Sequence, residues 1–380
     1  MHEIHSGAAL RHALESGAPL TQLRLQGLDL APFADALFGR TDLEGLVVLG
    51  GTVPVALDAH LRRHGAIIFP QDPQAPVSVY RGRLYHPAEL YTGLTSSGYA
   101  STPDAHAYAW ATDTELGKDT YVTMLRGIHD DAMSDGLGQI LGRRSVVGVM
   151  GGHSLERGTA GYTAAAELGH ALVAAGHLVI TGGGPGAMEA ANLGAFTRDP
   201  AMLVDALARL AAVPGFRPSI DDWARLAFEV RRDIADVQPR DERPHSIGIP
   251  TWFYGHEPTN VFCHAIAKYF SNAEREDGLI TRSTAGIVVL PGAAGTVQEI
   301  FQAGTPLYYH DEDLPGHQLP RLVLVGVDHW TETLPAWQLL RSLAAGRPME
   351  EHVHLVDDVA SAVELFPAGR RSTDPIGTAP

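Results

Sequence analysis

From Ser145 onward, apolar runs of strand length alternate with alanine-rich stretches of helical length. Val146-Val147-Gly148-Val149-Met150 comes first, then Ala164–Ala175, then Leu178-Val179-Ile180-Thr181. Ser246-Ile247-Gly248-Ile249, Gly286-Ile287-Val288-Val289-Leu290, Arg321-Leu322-Val323-Leu324-Val325 and His354-Leu355-Val356 continue the series. Continuous apolar runs separated by helices are the pattern of parallel strands covered on both faces. Residues 141–366 are therefore expected to form a Rossmann-like α/β domain. Its doubly wound, mostly parallel sheet carries helices on both faces and binds ligands at the carboxyl ends of its strands.

The chain before this domain has no such rhythm. Leu46-Val47-Val48-Leu49 and Ala66-Ile67-Ile68-Phe69 read as short strands closed by Gly50-Gly51 and Pro70. Val77 to Thr112 is rich in Tyr, Ser, Pro and Gly and reads as loop, and a helix is expected around Thr120–Leu141. Residues 1–140 are thus expected to be a mixed α/β region, with no internal repeat. Residues 198–244 read as a polar, mostly helical insertion, with helical spacing from Trp223 to Val237. Residues 367–380 read as a disordered tail.

Composition narrows the function. With 380 residues and 45% hydrophobic positions, the chain can bury sizeable cores. A net charge of −16 argues against nucleic-acid binding through a broad basic surface, though a local nest of N–H groups can still hold a phosphate. Cys263 is the single cysteine, so no intrachain disulfide forms, and packing is its expected role. Neither a signal peptide nor a run of membrane-spanning length is apparent, and a cytoplasmic location is expected. The nineteen histidines show no metal-ligand spacing, and His352 and His354 read as one exposed strand face.

Two glycine-rich loops join a strand to a helix. The first, Thr181-Gly182-Gly183-Gly184-Pro185-Gly186-Ala187-Met188-Glu189, lets a ligand approach the backbone and presents a helix N-terminus to an anion. The alternative is a tight turn without a ligand. Gly182-x-Gly184-x-x-Ala187 satisfies the dinucleotide fingerprint, but no acidic residue ends a second strand, since Asp199 and Asp205 flank a helical stretch. The second loop is Leu290-Pro291-Gly292-Ala293-Ala294-Gly295-Thr296-Val297-Gln298-Glu299. Amides from Gly292 through Ala293, Ala294 and Gly295 to Thr296 could converge on a phosphate, with the Thr296 hydroxyl as donor and cap. Taken alone, Glu299 reads as the reciprocal half of a capping box.

Pro291-Gly292-Ala293-Ala294-Gly295-Thr296-Val297-Gln298-Glu299 resembles the PGGxGTxxE signature of the LOG (Lonely Guy, "lysine decarboxylase-like") family. Gly161-Tyr162, Glu167-Leu168-Gly169 and Gly176 lead into a stretch similar to that family's GGGPGxMxAAN loop, here Gly182 to Asn192. Arg275 stands where the family keeps an arginine, and Val356-Asp357-Asp358 also fits. Glu257-Pro258-Thr259-Asn260 and the insertion look closer to the longer bacterial nucleotide 5′-monophosphate nucleosidases. The resemblance spans residues 141–366. It departs at Ala293, in place of the second glycine, at Gln298, in place of a second acid, and at Glu276, where plant-type members carry lysine.

The resemblance implies hydrolysis of the N-glycosidic bond of a nucleoside 5′-monophosphate, purine favoured, giving free base and ribose 5-phosphate. It implies no metal or redox cofactor, a small-molecule partner, and a homo-oligomer, most simply a dimer. Glu299 is then the catalytic carboxylate, and Arg275 a fixed positive charge that holds phosphate or ribose, in place of the solvated charge run that Glu274-Arg275-Glu276-Asp277 otherwise suggests. Gly152, His153 and Ser154, after the first strand, are candidate ligand contacts, with Gly182, Gly183, Gly184, Pro185, Gly186 and Met188 of the first loop. Glu189 and Asn192 could line a base pocket, or Glu189 could complement the helix dipole. The competing expectation is a non-catalytic carrier that binds a nucleotide or cofactor intact.

Overall fold

The computed structural model describes residues 3–238, 243–253, 257–310 and 319–369. Two compact units emerge: Met1–Leu84 with Ala109–Gly136, and Tyr85–Tyr108 with Leu137–Pro380. Most of the expected tail lies outside the described residues.

The smaller unit holds four parallel strands: β1 (Glu3–Ile4), β2 (Arg24–Gln26), β3 (Val47–Leu49) and β4 (Ile67–Phe69), side by side in chain order. Helices Gly7–Glu15, Ala34–Phe38 and Val55–Arg63 lie between successive strands. Ile4, Leu25, Val48 and Ile68 are register partners across the whole sheet and form one buried ladder. Their spacing of roughly twenty residues is that of a stacked β–helix repeat. The expectation of no internal repeat is therefore corrected. The signal was Leu20-x-x-Leu23-x-Leu25-x-x-Leu28, echoed by Leu43-x-x-Leu46-x-Val48. Gly27 and Gly50 end equivalent strands, at φ 65° and 62°.

The larger unit is built on β5 (Val146–Met150), β6 (Leu178–Thr181), β7 (Ser246–Gly248), β8 (Ala265–Ile266), β9 (Gly286–Val289), β10 (Arg321–Val325) and β11 (Val353–Val356). Their order is β11-β10-β9-β5-β6-β7-β8, and every pairing is parallel. β5, β6, β7 and β9 are buried throughout, as helices on both faces require. The chain runs outward from β5 to β8, then returns to β9 on the other side of β5, so strand order reverses between β5 and β9. This is the doubly wound Rossmann-like topology, whose ligand crevice opens at that reversal.

Two differences from the sequence reading have physical causes. Val77 to Thr112, read as loop, contains helices Pro87–Leu90 and Pro103–Thr112, and its portion Tyr85–Tyr108 groups with the larger unit, not the smaller. Buried Asp104 holds it there, accepting from Trp252 Nε1 at 2.9 Å and Lys268 Nζ at 2.7 Å. His352 and His354 are half-buried rather than one exposed face. Burial, then Arg321, pulls the ring of each below the ordinary histidine range. The insertion is helical as expected, with helices Pro200–Leu210 and Ile220–Val237. Among the described residues no helix is long and apolar enough to cross a membrane.

Candidate functional site

The loops after β5 and β9 meet at the reversal of strand order, where the Gly152 amide donates to Pro291 O at 3.1 Å. The first glycine loop follows β6 and is buried from Gly182 to Gly186. It is held from below: Asn260 donates its amide to Gly183 O at 2.9 Å and its side chain to Gly184 O at 3.0 Å. Asn192 is also fully buried, and its side-chain amide is committed to Thr181, Ser246 and Asn260. It buttresses the loop and has no free edge for a base.

The glycines here make room for a side chain. A Cβ on Gly182 would lie 2.2 Å from Arg275 Nη2 and 2.7 Å from Met188 Sδ, so Arg275 crosses directly over the loop backbone. Arg275 comes from the first turn of helix Asn272–Arg282. Its Nε donates to Ile249 O at 2.9 Å and its Nη1 to Glu299 Oε1 at 3.2 Å. The two residues lie 24 apart in sequence, and their side chains are only 10% and 13% exposed. Glu299 is thus an ion-pair partner, not the capping-box residue that its spacing alone suggests. Burial pushes its carboxyl above the ordinary range; Arg275 draws it back, while Glu276 and Glu257 push it further up. Glu276 is held by Gln298 Nε2 and Asn272 Nδ2, each at 2.8 Å. The departures at 276 and 298 therefore meet as one hydrogen-bonded pair.

The second loop is open. Ala293, Ala294 and Gly295 are exposed at the start of helix Ala294–Tyr308, whose N-cap, Ala293, makes no side-chain bond. Thr296 does not cap, because its side chain is tucked beneath Gly292, where a Cβ would lie 2.1 Å from its hydroxyl oxygen. Ala293 has φ −121°, a backbone that any residue adopts, so its departure from glycine costs the loop nothing. His329, which sequence reasoning missed, sits against this loop with Nε2 3.1 Å from Gly292 O. It arrives from the far end of β10, and no local pattern marks it.

His153 Nδ1 lies 3.2 Å from Glu257 Oε1, and both are partly exposed. Glu189 is buried and gripped by Arg157, whose Nε donates to Oε2 at 3.0 Å and Nη2 to Oε1. Arg157 also stacks 4.8 Å over Trp223. A cavity of about 400 Å³ opens beside this pair, lined by His153, Ser154, Pro185, Gly186, Phe216 and Arg217 among others. Cys263 is buried and burial pushes its thiol well up, so it supplies no thiolate.

Comparison with known proteins finds no match among curated sequences. Among solved structures, the molybdenum cofactor binding protein of the phototrophic bacterium Rippkaea orientalis is 16% identical; the alignment covers 59% of this chain and 96% of that one, with a TM-score of 0.33. The Moco carrier protein of Chlamydomonas reinhardtii is 20% identical over 58% of this chain and 94% of that one, also at 0.33. The model of the SLOG cluster4 family matches residues 144–203, which span β5, β6 and the first glycine loop and end before Arg275 and Glu299.

Proposed function

We propose that the larger unit binds a nucleoside 5′-monophosphate and hydrolyses its N-glycosidic bond. The observation that carries this reading is the Arg275–Glu299 pair, 3.2 Å apart, near the N-terminal ends of two different helices at the crevice where strand order reverses. The open amides of Ala294 to Thr296 would take the phosphate, at a helix end with no side-chain cap of its own. Water attacks C1′, the C1′–N bond breaks with its electron pair leaving on the base, and positive charge builds on the ribose as in other glycosyl transfers. Glu299, one turn into the phosphate-binding helix, stabilises that charge and takes the proton of the attacking water. Arg275 keeps the carboxylate in place. The first glycine loop is the floor beneath Arg275, and gripping the remote phosphate orients the reacting centre.

The test is chromatography of the purified protein with AMP, GMP, IMP, CMP and UMP. Free base should appear with ribose 5-phosphate, and Glu299→Gln should slow its release by about 10²–10⁴-fold while nucleotide affinity stays within a few-fold. Intact nucleotides throughout, with tight binding of one of them, would replace hydrolysis by the carrier reading. Full activity in Glu299→Gln would remove the catalytic assignment.

A further inference from the structure

We propose that the cavity beside the first glycine loop is the base subsite of this nucleotide site, and that the helical insertion selects a purine with a 6-oxo edge. The inference rests on the nucleotide reading above. One wall is His153-Ser154 and Pro185-Gly186, from the ends of two central strands; the other is the turn Pro214–Pro218, between the two helices of the insertion. Its volume of about 400 Å³ lies within the usual range of small-molecule sites.

The insertion wall is fixed in place. The Arg157 amide donates to Pro214 O at 2.9 Å, and its guanidinium reaches Val213 O at 3.4 Å and Trp223 O at 3.3 Å. The same guanidinium holds Glu189 on the helix of the first loop, so one buried ion pair ties the insertion turn to the sheet. Such anchoring limits the ordering cost when a ligand enters.

The lining fits a flat heteroaromatic ring. Phe216 is half-buried at the cavity, 6.3 Å from the Trp223 ring and tilted 67° to it, which leaves a ring for stacking. Arg217 is exposed there and makes no ion pair among the described residues. A guanidinium only donates, which suits the paired acceptors O6 and N7 of a 6-oxopurine better than the mixed edge of adenine. Glu156, also in the lining, offers acceptors for N1–H and the 2-amino group of guanine. His153 lies on the cavity wall, and its neighbour Gly152 is bonded to Pro291 at the start of the phosphate loop. A nucleotide spanning from that loop to the cavity thus passes His153.

Calorimetry of GMP, AMP and ribose 5-phosphate with the wild-type chain, Phe216→Leu and Arg217→Ala tests this. Phe216→Leu, which keeps an apolar side chain in the turn, should weaken GMP about tenfold or more, the loss of one base–aromatic stack. Ribose 5-phosphate should bind both variants as it binds the wild type, which also reports that the site remains folded. Arg217→Ala should shrink the preference for GMP over AMP. If the wild type binds GMP and both variants bind it equally well, the base subsite is elsewhere and the nucleotide reading survives. If the wild type binds no nucleotide, both inferences fall together.

Discussion

At the scale of single residues, the proposed hydrolysis turns on how one carboxyl holds its proton. Glu299 is pushed above its ordinary value of 4.5 by burial first, and Glu276 adds to the push against the pull of Arg275. A carboxylate that accepts a proton from water works only when ionised, so kcat/KM for the nucleotide should rise with pH along a limb lying above 4.5. Glu276→Gln removes one repelling charge, makes ionisation of Glu299 easier, and should move that limb to lower pH. A pH–rate profile of the two proteins checks this, and an unmoved limb would detach Glu276 from the reacting carboxyl. None of this was legible locally, because Glu274-Arg275-Glu276-Asp277 reads as a solvated run. Arg275 and Glu276 are nevertheless 8% and 7% exposed. What buries Arg275 is the missing Cβ of Gly182, on a different segment of the chain.

At the scale of elements, the first glycine loop depends on how closely two helices approach. Helix Ala160–Ala174 and helix Ala187–Phe196 touch backbone to backbone: a Cβ on Gly194 would lie 1.8 Å from Ala166 O, and one on Gly169 would lie 2.1 Å from Ala191 O. Gly194→Ala should therefore force the helices apart and cost at least about 1–3 kcal/mol. Gly278→Ala should have the opposite sign. Its nearest neighbour would be Tyr269 Oη at 3.9 Å, within the helix Asn272–Arg282, so alanine should stabilise by up to about 1 kcal/mol. Urea denaturation of both variants measures the pair. The strands of the larger unit could be read almost to the residue, since long apolar runs bounded by glycine or proline have one simple interpretation. Two-residue strands such as β1 and β8 are too short to show a period. The repeat of the smaller unit went unread because its third and fourth strands alone stand out as apolar runs, while Arg24-Leu25-Gln26 sets a single apolar residue between polar neighbours.

At the scale of the molecule, the proposed nucleotide would meet a chain of net charge −16. The backbone amides of the second loop can hold a phosphate at close range, but the summed field repels it on approach. Added salt screens that field over a Debye length of about 10 Å at 0.1 M, so nucleotide association should become faster, by about twofold, as ionic strength is raised to that level. Stopped-flow measurement gives the rate directly, and a rate that falls with salt would place a positive local field in command of the approach. By itself, the sequence determined the parallel Rossmann-like sheet, the two glycine loops and the acidic surface, because apolar runs, glycine clusters and formal charges are properties of adjacent residues. Tertiary structure alone decided that Arg275 meets Glu299, that Asn192 and Glu189 are spent on packing, that Glu276 is matched by Gln298, and that the insertion walls a cavity. Each of those depends on side chains from separate segments competing for the same few ångströms, and no local pattern records who wins.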